Sequence, residues 1–213
     1  MLSLNNIKVS RIKNRVNLVF SDGSYLPFFI DDVVKLSLQK SQPIDEEKFT
    51  QIIQSSLSYL GNEYALRQIA ISPKTEKIIS QKLKIFFIKK SQKYKYFSNF
   101  NFSPIITSII DNLNAKKLLN QDDFIKSFIA KNHHKSIKQV KFLLAQKGVN
   151  ISNLNLNNTN DIESIKRILT KKRVTQKLLK DFKAKNRLYS SLLRQGFEFS
   201  DIKAVIDDLT SLQ

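Results

Sequence analysis

From residue 45 onward, apolar residues recur at helical spacing in one short segment after another, and this pattern limits the fold more than any other feature. Phe49, Ile52 and Leu60 form the first stripe, behind the acidic start Asp45-Glu46-Glu47. Later segments carry their own boundary signals, which are the N-capping residues Thr75, Ser103, Ser136 and Ser200 and the terminal glycines Gly148 and Gly196. The whole chain has only four Gly and four Pro, which leaves few sharp turns. The sequence therefore predicts a mainly α protein.

The helical segments between residues 62 and 213 also show an internal repeat. About nine short helices fall into groups of three, with a period near 50 residues. The segment Leu143-Leu144-Ala145-Gln146 before Gly148 resembles Leu192-Leu193-Arg194-Gln195 before Gly196. A three-helix unit of this size cannot bury its apolar stripe alone, so repeated units must stack on their neighbours. An unrepeated helical bundle is the alternative that this pattern leaves open.

A β-hairpin is predicted ahead of the helical region. Val16, Leu18 and Phe20 alternate with polar residues, Asp22-Gly23 supplies a turn, and residues 25–30 are again mostly apolar. We divide the chain into a β-hairpin with a short helix (1–44), a linking helix with the first three-helix repeat (45–113), a second repeat (114–160) and a third repeat (161–213). Because each repeat has its own apolar stripe, deletion of residues 1–44 is expected to leave a soluble helical protein.

Charge points to a polyanionic partner. Thirty-six Lys and Arg oppose 18 Asp and Glu, which gives a net charge of +18 and a pI near 10.0. Such an excess attracts nucleic acid first and an anionic membrane second. No apolar run approaches the roughly 20 residues that span a bilayer, and no signal peptide is visible. We therefore expect a cytoplasmic protein without membrane contact.

Candidate catalytic and metal-binding groups are few. The chain has no cysteine, which excludes disulfides, thiolate metal sites and a Cys nucleophile. Adjacent helical residues point about 100° apart, so His133-His134 would make a poor chelate. Asp122-Asp123 is explained as a cap and first-turn acid before a helix. With no phosphate loop and no nucleophile motif either, we expect neither an enzyme nor a cofactor.

Basic residues concentrate in two clusters, which are the candidate binding sites. The selected residues are Lys84, Lys89, Lys90, Lys93 and Lys95 in the first cluster, and Lys171, Lys172, Arg173, Arg187 and Arg194 in the second. Clusters of this kind bind phosphates strongly and in a salt-dependent way. Aromatic residues are interleaved with the first cluster, namely Phe86, Phe87, Tyr94, Tyr96 and Phe97. These rings either stack on bases of single-stranded DNA or pack into the core, and the sequence leaves both readings open.

The order of these landmarks resembles the RecX family over nearly the whole chain. The segments that carry the resemblance are Asp22-Gly23-Ser24-Tyr25, Ala65-Leu66-Arg67-Gln68-Ile69, Ser72-Pro73-Lys74-Thr75-Glu76-Lys77, Leu118 to Ile129, Ile137 to Gly148, and Arg187 to Phe197. The resemblance implies tandem three-helix repeats of helix-turn-helix-like shape. It also implies a non-enzymatic partner of RecA that lodges in the filament groove, limits ATPase and strand exchange, and contacts DNA. One departure is the stretch from Lys84 to Phe102, which is longer than in relatives and leaves the geometry of the first repeat open.

We therefore interpret the chain as a monomeric regulator of RecA filaments that binds single- and double-stranded DNA. Arg187 and Arg194 are seven residues apart and should project from one helix face, with Leu188, Leu192 and Leu193 packed inward. One alternative is a stand-alone helix-turn-helix-like DNA-binding protein, which would read spaced half-sites as a dimer. Another is an interaction protein that uses its basic charge for solubility or RNA contact.

Overall fold

The computed structural model of this chain describes residues 2–152, 154 and 161–211. Two compact units are present, an N-terminal unit of Met1–Asn120 and a C-terminal unit of Gln121–Gln213. Both are dominated by helices, and a small antiparallel sheet lies at the start of the N-terminal unit. These features confirm the predicted fold class. The end of the predicted second repeat, residues 155–160, lies outside the described residues.

The N-terminal sheet has four strands, which is larger than the predicted hairpin. The strands are β1 (Leu2–Val9), β2 (Arg15–Phe20), β3 (Tyr25–Phe29) and β4 (Gln42–Ile44), in the antiparallel order β3-β2-β1-β4. The predicted hairpin is β2–β3, in which Leu18 pairs with Leu26. Strands β1 and β4 lie outside this hairpin, so the β region is more extensive than predicted. The register of β1 shifts between Leu4 and Asn6, which breaks its alternation, and β4 is only three residues long.

Four helices complete the N-terminal unit. They are α1 (Ile30–Lys35), α2 (Glu46–Ile71), α3 (Glu76–Lys93) and α4 (Ser103–Ala115), with a 3₁₀ turn at Lys95–Phe97. The Thr75 side chain caps α3 as predicted, and Asp45, which was expected only as an acid at the start of the helix, is the cap of α2. The predicted cap at Ser103 was wrong by one residue. Phe102 is the N-cap of α4, and the Asn101 side-chain oxygen accepts a hydrogen bond from the Ser103 amide.

The sheet and the helices of the N-terminal unit share one hydrophobic core. Phe20 and Phe28 of the sheet are fully buried in the same cluster as Leu57 of α2. The Ser56 hydroxyl donates a 2.6 Å hydrogen bond to the Pro27 carbonyl, which ties α2 to β3. A Cβ at Gly61 would collide with core side chains of α3 and α4, so glycine permits their close approach. The sheet is therefore part of the core of α2–α4, which argues against the expectation that deletion of residues 1–44 leaves a soluble helical protein.

The C-terminal unit contains six described helices. They are α5 (Gln121–Lys131), α6 (Ile137–Gln146), α7 (Asp161–Lys171), α8 (Gln176–Lys180), α9 (Phe182–Arg194) and α10 (Phe199–Ser211). The apolar faces of α7–α10 meet in a single core around Ile165, Leu192 and Ile202. The Ser136 hydroxyl accepts from the Gln139 amide as the cap of α6 and donates to the Gln195 carbonyl at the end of α9. A buried cap thus links α6 to α9.

The ends of α6 and α9 have the same hydrogen-bonded geometry. Gly148 and Gly196 both have a φ of 85°, and each allows the following apolar residue to bond back to the helix. The Val149 amide donates to the Leu144 carbonyl, and the Phe197 amide donates to the Leu192 carbonyl. Leu144 therefore corresponds to Leu192, so the two Leu-Leu-x-Gln segments are offset by one residue in the structure. What the two helix ends share is the glycine turn and the buried apolar pair beside it, Leu144 with Val149 and Leu192 with Phe197.

Candidate nucleic-acid interface

The first basic cluster lies mainly on α3, on two different sides of the helix. Ile79, Leu83 and Phe87 are spaced by four residues and fully buried, which fixes the orientation of the helix. Lys89 and Lys93 are exposed and only about 40° apart around the axis. Lys84 is also exposed, but it lies about 140° from Lys89, at the edge of a shallow groove that includes Phe100. The predicted cluster is therefore split, with Lys84 separate from Lys89 and Lys93.

Lys90 belongs to a second group of cations that the sequence did not reveal. Its ammonium lies 5.2 Å from the centre of the Phe86 ring and is half-buried. Burial lowers the pKa of Lys90, and the positive charges of Lys93, Arg15 and Arg67 lower it further. We call Arg15, Arg67, Lys90 and Lys93 the Lys90 patch. Its members come from β2, α2 and α3, so no local sequence signal joins them.

One carboxylate holds the two arginines of the Lys90 patch. Glu63 accepts from Arg15 Nη2 at 2.6 Å and from Arg67 Nη2 at 3.1 Å. The Lys90 patch thus has four cations and one neighbouring acid, Glu63, which is already bonded to two of them. The excess positive charge makes an added phosphate favourable at this place.

Lys95 is held by an intramolecular partner. Its ammonium lies 2.9 Å from Asp22 Oδ2, at the turn between β2 and β3. The Tyr96 hydroxyl donates to the same oxygen at 2.7 Å. This pairing raises the pKa of Lys95. A phosphate contact from Lys95 would have to compete with Asp22, so this member of the predicted site is weaker than Lys89 or Lys93.

We expect the Asp22 contacts to make stability depend on pH. Hydrogen bonds from Ser24, and then from Lys95 and Tyr96, hold the pKa of Asp22 well below its ordinary value of 3.8, against the opposing effect of burial. A depressed carboxyl pKa stabilises the folded state above the unfolded pKa, and this stabilisation is lost as the pH falls through the folded pKa. Asp22→Asn should therefore lower the free energy of unfolding by about 1 kcal/mol at pH 7, because the bonds are charged but partly solvent-screened. Urea denaturation at pH 7 and at pH 3 measures the difference in the free energy of unfolding between Asp22→Asn and the unmodified protein at each pH. A difference that is as large at pH 3 as at pH 7 would contradict the assignment.

The aromatic residues of the first cluster pack inward. Phe87 and Phe97 are fully buried and Tyr94 is nearly so. Tyr96 contacts the ring of Phe20 edge-on at 5.3 Å, and Phe86 stacks on Tyr64 at 4.3 Å. These rings belong to the core of the N-terminal unit. The reading in which they stack on bases is therefore wrong.

The second basic cluster begins where α7 ends. Lys171 is the last residue of the helix, and Lys172 and Arg173 follow in an exposed turn. Arg173 has a φ of 52°, a left-handed conformation that directs the chain from α7 toward α8. None of the three forms an ion pair within the part of the chain that the structure describes. By contrast, the nearby Lys166 lies 3.2 Å from Asp208.

Arg187 and Arg194 project from one side of α9. Both are exposed, and the Arg194 side chain donates to the Ser190 carbonyl of the same helix at 3.2 Å. Leu188 and Leu192 are buried as expected. Leu193 is 44% exposed, so its predicted inward packing was wrong. It lies about 100° from Leu192, beyond the edge of the buried face.

These surfaces offer phosphate contacts. Within the described ranges, His, Cys, Asp and Glu do not assemble into a group of three that could hold a metal ion. His133 Nδ1 instead lies 2.8 Å from the Ala130 carbonyl. The described helices include none with the length and apolar character needed to cross a membrane.

Known proteins resemble this chain along most of its length. A family model described as RecX, third three-helix domain, matches residues 159–206. Regulatory protein RecX of Streptococcus pneumoniae strain CGSP14 is 26% identical over 218 residues, which cover 96% of this chain and 78% of the relative. The same protein of the serotype 19F strain G54 is 26% identical over 219 residues, with the same coverage.

Two crystal structures share the fold. A structure of regulatory protein RecX has a TM-score of 0.63 at 18% identity and covers 97% of this chain and all of its own. A structure of RecX from Lactobacillus salivarius has a TM-score of 0.54 at 21% identity and covers 72% of this chain and 96% of its own. The order of sequence landmarks, the helical fold and these likenesses agree. The chain carries a third three-helix domain of the RecX type and is similar to RecX regulatory proteins along nearly its whole length.

Proposed function

We propose that this protein binds RecA filaments on DNA and inhibits their ATPase and strand-exchange activities. The observation that carries the proposal is the likeness to RecX regulatory proteins over 96% of the chain. A regulator of this kind needs no cofactor and makes or breaks no covalent bond. We further propose that it acts as a monomer in the cytoplasm.

The exposed basic residues support a contact with DNA and with the RecA filament. Lys89 and Lys93 in the N-terminal unit, and Lys171, Lys172 and Arg173 in the C-terminal unit, present exposed charges without acidic partners among the described residues. Exposed Lys and Arg bind phosphates through counterion release, with little dependence on base sequence. We therefore expect binding to both single- and double-stranded DNA, weakening steeply with salt.

A pull-down against assembled recombinase tests this function. The protein is incubated with RecA on single-stranded DNA and a non-hydrolysed nucleotide, with free RecA and naked DNA alongside. We expect retention on the filament to exceed the retention on either component alone. Equal retention on naked DNA and on the filament would contradict the proposal. A preference for one DNA sequence would then favour the alternative of a helix-turn-helix-like DNA-binding protein.

A further inference from the structure

Helix α9 carries a large exposed aromatic residue at its first position. Phe182 is 75% exposed, and no other ring packs against it in the part of the chain that the structure describes. The folded protein therefore leaves most of this ring in water, although burying a Phe side chain contributes about 1.5–3 kcal/mol. Leu188 and Leu192 on the same helix fill the core, so the orientation of α9 keeps Phe182 outside.

Further apolar groups follow Phe182 along the same side of α9. Tyr189 is seven residues later, about 20° away around the axis and about 10 Å along it. Its ring lies against that of Phe199, with centroids 5.4 Å apart. The exposed Leu193 continues this side. We call Phe182, Tyr189 and Leu193 the aromatic row.

A basic row runs along the same helix, about 120° around the axis from the aromatic row. It consists of Lys183, Arg187 and Arg194, which lie within about 40° of one another around the axis. All three are exposed, and none forms an ion pair with the described residues. Asp181, the acid at this end of the helix, caps α9 by accepting a hydrogen bond from the Lys183 backbone amide. Lys180, just before it, adds another exposed charge.

We propose that α9 is a platform for single-stranded DNA, with Phe182 stacking on a base and the basic row holding the adjacent phosphates. Non-specific binding of a single strand requires both parts, because bases stack on open rings while cations follow the backbone. In a duplex the base faces are already stacked on their neighbours, so the basic row can act there but Phe182 cannot. The inference deepens the proposed function and rests on its DNA contact.

A second exposed phenylalanine lacks this arrangement and provides a matched control. Phe142 on α6 is 60% exposed. The cation closest to its side of the helix is Lys138, whose ammonium lies 3.8 Å from Glu198. Gln139 and Gln146 occupy the other adjacent positions. Phe142 therefore has similar exposure, but the only cations within its helix are Lys138, which is paired with Glu198, and the half-buried Lys141.

Fluorescence reports directly on stacking, because the chain contains no Trp. The full-length variants Phe182→Trp and Phe142→Trp each carry a single Trp at an exposed position, which can be excited selectively over the six tyrosines. Addition of oligothymidylate without recombinase should quench the emission of Phe182→Trp and leave that of Phe142→Trp nearly unchanged. Equal quenching of both variants, or none in Phe182→Trp at saturating oligonucleotide, overturns the proposal.

Binding affinities of single variants distinguish the contribution of stacking from that of charge. Phe182→Ala should weaken oligothymidylate binding about tenfold, with an unchanged slope of log K against log salt, since no charge is lost. Arg187→Ala should lower that slope by about 0.7. Duplex affinity of Phe182→Ala should stay within about twofold. If Phe182→Ala lost as much affinity for duplex as for oligothymidylate, Phe182 would have another role. The same would hold if the variant lost filament binding but kept its normal affinity for oligothymidylate. These assays contain no RecA, so their failure leaves the filament pull-down as a separate test.

Discussion

Deleting residues 1–44 is expected to abolish folding of the N-terminal unit. Eight buried residues of its core lie in this segment, namely Leu4, Val16, Leu18, Phe20, Leu26, Phe28, Leu38 and Ile44. A buried side chain of this size contributes about 1.5–3 kcal/mol, so the loss of eight matches or exceeds the stability of a typical domain, about 5–15 kcal/mol. The uncovered faces of α2–α4 would be left in water. Urea denaturation followed by far-ultraviolet circular dichroism, with dye binding to exposed apolar surface, measures both effects.

Point variants provide a graded version of the same test. Phe28→Ala removes one fully buried ring of β3 and should cost about 3–5 kcal/mol. Val34→Ala, at a position on α1 that is 78% exposed, should change stability by less than about 0.5 kcal/mol. If the chain without residues 1–44 unfolds at the same urea concentration as the whole protein, the shared core is not what stabilises α2–α4.

Helices could be predicted from this sequence because their signals are local. Thr75 and Ser136 each cap the helix that they were expected to cap, and Gly148 ends α6 through a left-handed turn. A cap acts on amides two or three residues away, so a short window of sequence contains the whole interaction. Strand β4 is different, because it exists only through pairing with β1 at the other end of the segment.

The candidate site could be predicted in part for a similar reason. Charge can be counted from the sequence, and Lys89, Lys93 and Arg187 are exposed as their polarity suggests. Which charges converge depends on tertiary packing, so the contributions of Arg15 and Arg67 to the Lys90 patch had no signal in the sequence. The burial of the aromatic rings depends on tertiary packing in the same way. Packing against the sheet and against α2 removes the aromatic residues of the first cluster from the surface.

Reversing the charge of Arg187 and Arg194 together is expected to reduce inhibition of the filament ATPase severely. Each substitution by Glu changes the charge by two, and the pair would place two carboxylates on the side of α9 proposed to face DNA phosphates. Arg also forms planar, bidentate contacts that Lys reproduces poorly. Both side chains are exposed and neither belongs to the core, so the helical circular dichroism should be unchanged.

A charge-matched control decides whether position or total charge matters. Lys126→Glu with Lys203→Glu makes the same change in net charge at exposed positions on α5 and α10 of the same unit. If inhibition depends on the basic row of α9, the Arg pair should raise the concentration for half-inhibition by an order of magnitude or more, since each lost phosphate contact also turns into repulsion. The Lys pair should then have a clearly smaller effect.

Salt provides a second comparison between the two double variants. Because long-range attraction weakens with salt while close contacts persist, the difference in half-inhibition between the two variants should remain at 0.15 M salt, where the Debye length is about 8 Å. Identical inhibition curves for the two pairs would remove Arg187 and Arg194 from the interface and leave the Lys90 patch as the next candidate.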